Sequence, residues 1–205
     1  MAGSGNGTGH NDTLTIFMYP SFAMGHLSPY LPTANKLAQR GHKVFIVVPP
    51  KVQYKLRLLN LHPDLIQFKP ISIPRVEGLP PDVEITSDTT MREQDLLLHA
   101  LDLTQPAIES MLSDLKPHFV FFDFMHRLPG LARRLKIKSV YYSLVSPAAV
   151  GFMFAEGPLV EDLMNGPPGF PTPIRLYKQA AVELMWFNAA KGRGSGITLR
   201  QRFMT

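Results

Sequence analysis

The sequence contains no cysteine among its 205 residues, which excludes disulfide bonds and thiolate metal sites. It also lacks an uninterrupted apolar run of about 18 residues, so we expect no membrane-spanning helix. Residues 1–12 have neither a charged n-region nor an apolar core, so we expect a flexible Gly/Ser tail and not a signal peptide. Together these absences favour a reducing, cytoplasmic location.

Several signature motifs are absent as well. There is no G-x-G-x-x-G or Walker loop for a nucleotide phosphate, no H-E-x-x-H or metal-spaced His/Asp cluster, and no G-x-S-x-G hydrolase elbow. Only 18% of the residues are charged, and the net charge of +5 is scattered. The densest basic stretch, residues 133–138, lies at a predicted helix end, where cations suit the helix dipole. We therefore expect no nucleic-acid partner.

What the sequence does contain is an alternation of apolar strands and amphipathic helices, with 45% hydrophobic residues. This pattern predicts an α/β fold with a Rossmann-like, doubly wound parallel sheet. We interpret residues 13–205 as one domain that is incomplete at its C-terminal end. The five predicted strands cover residues 13–18, 43–48, 66–73, 118–123 and 139–144.

The stretch from Phe17 to Tyr30 contains the main candidate for a ligand-binding site. Pro20 ends the first strand, Gly25 is expected to permit a tight turn, and Ser28 with Pro29 forms a typical helix start. His26 would then lie in a loop after the carboxyl end of a strand, where open α/β sheets bind ligands.

Asp123 ends the fourth predicted strand. If the strand order is 3-2-1-4-5, the first and fourth strands are neighbours, and His26 and Asp123 converge on one crevice. A carboxylate bonded to one imidazole nitrogen leaves the other nitrogen as a base for a hydroxyl proton. The structural alternatives are a solvated histidine and an aspartate that caps a helix. His126 is a competitor that could line the same crevice.

Apolar residues flank both positions. Phe22, Met24, Phe124 and Met125 could form walls of a hydrophobic pocket, although residue by residue the pattern favours an ordinary place in the core. Further along, Pro106 predicts two helices or a kink in residues 91–115. Residues 166–173 predict an irregular loop, 174–190 a last helix, and no helix or strand is expected after it.

Several of these stretches together resemble the plant UDP-sugar-dependent glycosyltransferases, and more narrowly the branch that adds a sugar to the sugar of flavonoid or anthocyanin glycosides. The resemblance spans about residues 13–198. It is carried by the start of the chain (residues 17–29 and 34–44), by three inner stretches (61–66, 76–80 and 114–124) and by residues 194–198.

The resemblance implies the N-terminal half of a GT-B fold, whose C-terminal, donor-binding domain is missing here. It implies His26 as the base, Asp123 as its assistant, and metal-free, inverting transfer from a UDP-sugar to a phenolic glycoside. By the same resemblance Gly25 belongs to the acceptor site with the flanking residues above, and Ser143 would lie near the donor sugar. Arg127, where an aromatic residue is expected, and Pro32 depart from the family pattern. We expect little transfer by this chain alone; the alternative is a non-catalytic binding module for phenolic glycosides.

Overall fold

The structure is a computed structural model that describes residues 13–90, 93–154, 160–166, 173–189, 191–192 and 196–203. The predicted tail at residues 1–12 lies outside these ranges. The strands and helices follow one another in this order: β1 (Thr15–Tyr19), α1 (Met24–Ala38), β2 (Lys43–Val48), α2 (Pro50–Arg57), β3 (Ile66–Pro70), α3 (Gln94–Leu103), α4 (Gln105–Leu115), β4 (Phe119–Phe122), α5 (Leu128–Arg134), β5 (Lys138–Tyr141), α6 (Pro147–Phe154), α7 (Val160–Asn165), α8 (Lys178–Ala189) and α9 (Leu199–Phe203).

The five strands form one parallel sheet in the order β3-β2-β1-β4-β5, which confirms the predicted order. β1 is the central strand, and its residues from Ile16 to Tyr19 are all buried. β2 has the predicted bounds and is apolar on both faces, as expected for a parallel sheet covered by helices on both sides. β3, which ends at Pro70, lies at the sheet edge, where a missing N–H donor is tolerated.

Helix α1 begins five residues earlier than Pro29, at Met24, so the predicted start is wrong. Ala23 is the extended N-cap residue, and its carbonyl accepts from the backbone N–H of His26 at 2.9 Å. Gly25 is helical and does not adopt a positive φ, so its predicted tight turn is absent. Pro29 and Pro32 lie inside the helix. The carbonyls that these prolines leave unpaired belong to Gly25 and Ser28, which are exposed and can bond to solvent.

Between β3 and α3, the described residues 71–90 and 93 are irregular apart from one 3-10 turn, Thr86–Asp88. The end of this segment is nevertheless anchored, because Ile85 is buried in the core and the Thr86 N–H donates to the carbonyl of Phe22 at 2.9 Å. Pro106 lies in the first turn of α4, so the predicted interruption produces two separate helices.

Helices α6, α7 and α8 build a second, smaller hydrophobic cluster around Phe152, Leu163 and Ala181. Most of the predicted loop at residues 166–173 lies outside the described ranges. The expectation that no helix follows α8 is wrong, since the short helix α9 is held against the main body by Arg202. Among the described residues, no helix is long and apolar enough to cross a bilayer.

Candidate functional site

The sheet register brings the ends of β1 and β4 together. Tyr19, the last residue of β1, pairs with Phe122, the last residue of β4. Asp123 therefore follows β4 beside the point where the chain leaves β1 through Pro20. After three more residues α1 begins, at Met24, and His26 lies in its first turn instead of in a loop. Both side chains thus reach the carboxyl edge of the sheet at its switch point, as the predicted strand order requires.

His26 and Asp123 are hydrogen-bonded although 97 positions separate them. The distance from His26 Nδ1 to Asp123 Oδ2 is 2.8 Å. The other carboxylate oxygen, Oδ1, accepts from the backbone N–H of Ser21 at 2.8 Å and of Phe124 at 2.6 Å. The Asp123 side chain is only 3% exposed, whereas the His26 side chain is 25% exposed. The carboxylate is therefore buried and fixed, and the imidazole still reaches solvent.

This arrangement fixes the chemistry available to the ring. Because an ionised carboxylate can only accept hydrogen bonds, His26 Nδ1 carries a proton and donates a hydrogen bond to Asp123. Nε2 is then the basic nitrogen of the same ring. If Nε2 takes a proton from a bound hydroxyl, the adjacent carboxylate stabilises the imidazolium that forms. The geometry is that of a general base with its orienting partner, and the catalytic roles themselves stay predictions.

The Ser21 contact was missed by sequence reasoning. Its contribution is a backbone N–H group, which every residue but proline has, so no side-chain pattern could reveal it. What distinguishes this N–H is its position directly after Pro20, where the chain turns beside β4.

The residues predicted to line the acceptor site divide into two groups. Phe124 packs edge-on against His26, with ring centroids 4.9 Å apart. Gly25, which precedes His26, is exposed, and beyond its chain neighbours and its own helix backbone no atom lies within 4 Å of the position a Cβ would take. Met24 is partly buried against the core. Phe22 and Met125 are core residues with 1% and 3% exposure, so the structural alternative holds for them and they are not walls of an open pocket.

His126 is drawn to a different group. Its Nδ1 lies 3.7 Å from Asp102 Oδ1, and its Nε2 accepts from Arg127 Nε at 3.2 Å. Asp102 is paired with Arg202 of α9 by two contacts of 2.6 and 2.7 Å, and all its carboxylate atoms lie in the interior. Burial lowers the pKa of His126, and Arg202 and Arg127 lower it further against the opposing effect of Asp102. His126 thus lies against Asp102 of α3, where its buried Nδ1 makes no hydrogen bond, and its predicted place in the crevice stays a prediction.

The buried pair of Asp102 and Arg202 was not predicted. A signal existed in the sequence, because Asp102 interrupts the apolar stripe of α3 next to Leu101. An acid in such a stripe calls for a cation, but spacing alone could not indicate one that is 100 positions away.

Ser143 follows β5 at the same edge of the sheet. It is exposed, and its hydroxyl donates to the Val145 carbonyl at 3.2 Å. Its predicted place near a donor sugar stays a prediction. Within the described residues, no three His, Asp or Glu side chains come together as a metal site would need.

A doubly wound, all-parallel sheet with an imidazole–carboxylate pair at its switch point defines a class: α/β proteins that bind a small molecule at the carboxyl edge of the sheet. No protein-family model matches the chain. It is 46% identical over 172 residues to cyanidin 3-O-galactoside 2''-O-xylosyltransferase of Actinidia chinensis, and 44% identical over 177 residues to anthocyanidin 3-O-glucoside 2''-O-glucosyltransferase of Ipomoea nil. The chain is therefore a homologue of the plant UDP-glycosyltransferases.

The matches cover 80% and 82% of this chain but only 38% and 39% of those two relatives, so the chain spans about two fifths of their length. Solved structures agree on the fold. The crystal structure of Arabidopsis thaliana UGT89C1 matches with a TM-score of 0.65 at 21% identity, over 71% of this chain and 38% of that chain. The sheet described above is thus the N-terminal half of a GT-B fold.

Proposed function

We propose that this chain supplies the acceptor half of a UDP-glycosyltransferase that adds a sugar to a flavonoid or anthocyanin glycoside. The observation that carries the proposal is the 2.8 Å contact between His26 and the buried Asp123 at the carboxyl edge of the sheet. A neutral imidazole with one nitrogen bound to carboxylate and the other near solvent suits removal of a hydroxyl proton. Exposed Gly25 precedes His26, and the ring of Phe124 packs against the imidazole, so both are candidates for contact with an acceptor.

The proposed reaction is a single displacement. His26 Nε2 takes the proton of the acceptor hydroxyl while the oxygen bonds to the anomeric carbon of the donor sugar. The bond from that carbon to the UDP oxygen breaks, UDP leaves with the bonding pair, and the anomeric configuration inverts. Asp123 keeps its place through its two backbone N–H bonds and stabilises the imidazolium.

The relatives support the substrate class. Two of them are named for transfer to the sugar of an anthocyanin 3-O-glycoside, one for xylose and one for glucose. UGT89C1 has been crystallised with quercetin and, separately, with UDP-L-rhamnose. We infer a phenolic glycoside as acceptor and a UDP-sugar as co-substrate.

Donor binding is assigned to a second domain outside this sequence, which also decides the choice of sugar. Ser143, at the same edge, is the candidate of this chain for a contact to the donor sugar. We further propose that the step uses no metal, so chelation with EDTA should leave turnover unchanged. A cytoplasmic location and the absence of a nucleic-acid partner belong to the same proposal.

A chimaera tests the proposal. The chain is joined to the remaining C-terminal part of the Actinidia relative and assayed for xylosyl transfer from UDP-xylose to cyanidin 3-O-galactoside. We expect turnover, and we expect its loss in the His26→Ala variant. His62→Ala, a histidine substitution at the opposite edge of the sheet, is the matched control and should keep full turnover. Undiminished turnover of the His26→Ala chimaera would refute the assignment of the base.

The isolated chain tests the alternative. Titration with cyanidin 3-O-galactoside should show binding without transfer when UDP-xylose is added, since the donor domain is absent. If the chimaera also binds the acceptor but never transfers, the chain is a binding module and not half of an enzyme. None of the comparisons favours that alternative.

A further inference from the structure

A patch of large apolar side chains lies exposed on α2 and on the loop that follows it. Tyr54, Leu58, Leu59 and Leu61 are 74%, 77%, 61% and 72% exposed. Tyr54 and Leu58 are four residues apart and share one side of the helical stretch. The three leucines border a groove of about 750 Å³ whose other wall is α1, including Leu31 and Pro32. We call this surface the leucine patch.

Hydrogen bonds within the protein fix the loop of the leucine patch and pair its backbone N–H groups without water. Asn35 of α1 donates to the Leu59 carbonyl at 3.1 Å and accepts from the Leu61 N–H at 3.0 Å. Asn60 accepts from the N–H of His62 at 3.0 Å, and the N–H of Leu59 bonds to Leu56 at 3.0 Å. A loop with satisfied N–H groups can enter a dry environment without leaving orphaned donors.

Along the chain, charge up to and through the leucine patch has one sign. Residues 13–63 contain six Lys and Arg residues and no Asp or Glu. Lys36 of α1 lines the groove, Arg40 follows the end of α1, and Lys55 and Arg57 lie on α2; all four side chains are exposed. The nearest acid along the chain is Asp64, while Glu84 is engaged at the far end of α2 with the Lys51 N–H at 2.8 Å. The rim is therefore complementary to an anionic surface.

The leucine patch lies at the edge of the sheet away from the catalytic pair. Its loop leads into β3 and so lies at the amino end of the parallel strands, whereas His26 and Asp123 follow their carboxyl ends. A partner bound at the leucine patch would leave the carboxyl edge open.

We propose that the leucine patch docks the protein on an anionic lipid bilayer. Three protruding leucines would enter the acyl boundary while the cations of α1 and α2 contact the lipid headgroups, which supplies the two signals that stable peripheral binding requires. A folded protein partner would need a shape complementary to the groove, whereas a bilayer adapts to protruding side chains. The inference is independent of the proposed catalytic function.

Vesicle flotation with the 205-residue chain tests the docking. We expect the chain to float with vesicles of equal parts phosphatidylcholine and phosphatidylserine, and to stay behind with phosphatidylcholine alone. The Lys55→Gln/Arg57→Gln variant should lose about 25-fold in affinity, from about fivefold for each cation at an anionic surface. The Leu58→Ser/Leu59→Ser/Leu61→Ser variant should lose at least about tenfold. All these side chains are exposed, so thermal midpoints should not change.

The controls use matched residues elsewhere on the molecule. Arg133→Gln/Arg134→Gln removes the same number of charges at the end of α5, and Leu103→Ser removes a leucine that is 45% exposed. Both should float like the parent. Equal losses from the two cation variants would mean binding by net charge alone and would overturn the proposal. The absence of flotation would overturn it as well. If the chain does not float but self-associates in sedimentation velocity, and the triple leucine variant abolishes that self-association, the partner bound at the leucine patch is a second copy of the chain.

Discussion

Replacing Arg202 by Met should strongly destabilise the protein, although Arg202 lies far along the chain from the sheet. The Arg202 and Asp102 side chains are 2% and 5% exposed and make two charge-assisted contacts of 2.6 and 2.7 Å. Removal of the cation leaves a buried, uncompensated carboxylate, which typically costs about 3–5 kcal/mol. Replacing Asp102 by Leu in the same chain removes that charge, so we expect the double variant to recover most of the loss.

The same substitution should change how stability depends on pH. In the wild type the pKa of His126 lies below its ordinary value, mainly through burial. The unfolded chain therefore binds the additional proton first, and stability should fall as the pH drops through about 6.5. Without Arg202, one of the two cations that lower the pKa of His126 is lost, so Asp102, which raises that pKa, is opposed by Arg127 and burial alone. The Arg202→Met variant should accordingly lose less stability, relative to wild type, at pH 5 than at pH 8.

Urea unfolding followed by circular dichroism at the two pH values measures both effects. The coupling energy from the four-member cycle of Arg202 and Asp102 isolates the pair from the packing of α9. A loss below about 1 kcal/mol for Arg202→Met would refute the reasoning, because surface ion pairs contribute no more than that. A double variant as unstable as the single one would refute it as well.

Three further outcomes are expected. In the chimaera, His26→Ala should lower kcat by about 100- to 10,000-fold, and Asp123→Asn should also lower kcat while acceptor binding by titration persists; a change confined to KM would contradict the base assignment. Gly25→Ala should raise the free energy of unfolding by about 0.5–1 kcal/mol, since the residue is helical and the new methyl group has space. The same substitution should weaken acceptor binding, and unchanged binding would show that Gly25 is not part of the acceptor site. Tyr19→Phe should cost about 0.5–1.5 kcal/mol in urea unfolding, because it removes the buried hydroxyl contact to Thr104 while the Thr104 hydroxyl keeps its bond to the Leu101 carbonyl at 2.7 Å. An unchanged midpoint would argue against the hydrogen bond between Tyr19 and Thr104.

Sequence patterns predicted a strand or helix correctly where the packing around it favours the same structure. β2 has the predicted bounds because its residues are apolar on both faces and the sheet buries both. Pro106 separates α3 from α4 because proline is accepted in a first helical turn and disfavoured further in. Where packing opposes the local signal, the signal fails. Ser28 and Pro29 form a good helix start, yet α1 begins at Met24, because this places Leu27 in the core at 1% exposure.

The candidate site shows the same division. The meeting of His26 and Asp123 followed from strand order, since the ends of neighbouring parallel strands share one edge. The orientation of His126 did not follow, because it depends on Asp102 and on Arg202, which the sequence places 100 positions apart. Likewise, the exposure of the leucines in the leucine patch could not be predicted, because the same apolar pattern is typical of buried core residues.

By itself the sequence determined the α/β class and indicated which imidazole and carboxylate would meet if the strand order were 3-2-1-4-5. Hydrophobic periodicity is a local property that can be read from residues close together in the sequence, so the strands, most of the helices and the residues that follow the strands could be predicted. Only the tertiary structure decided which apolar and charged side chains are buried, which are exposed and with which partners they pair. Burial depends on surfaces that distant segments bring together, and no periodicity along the chain records them.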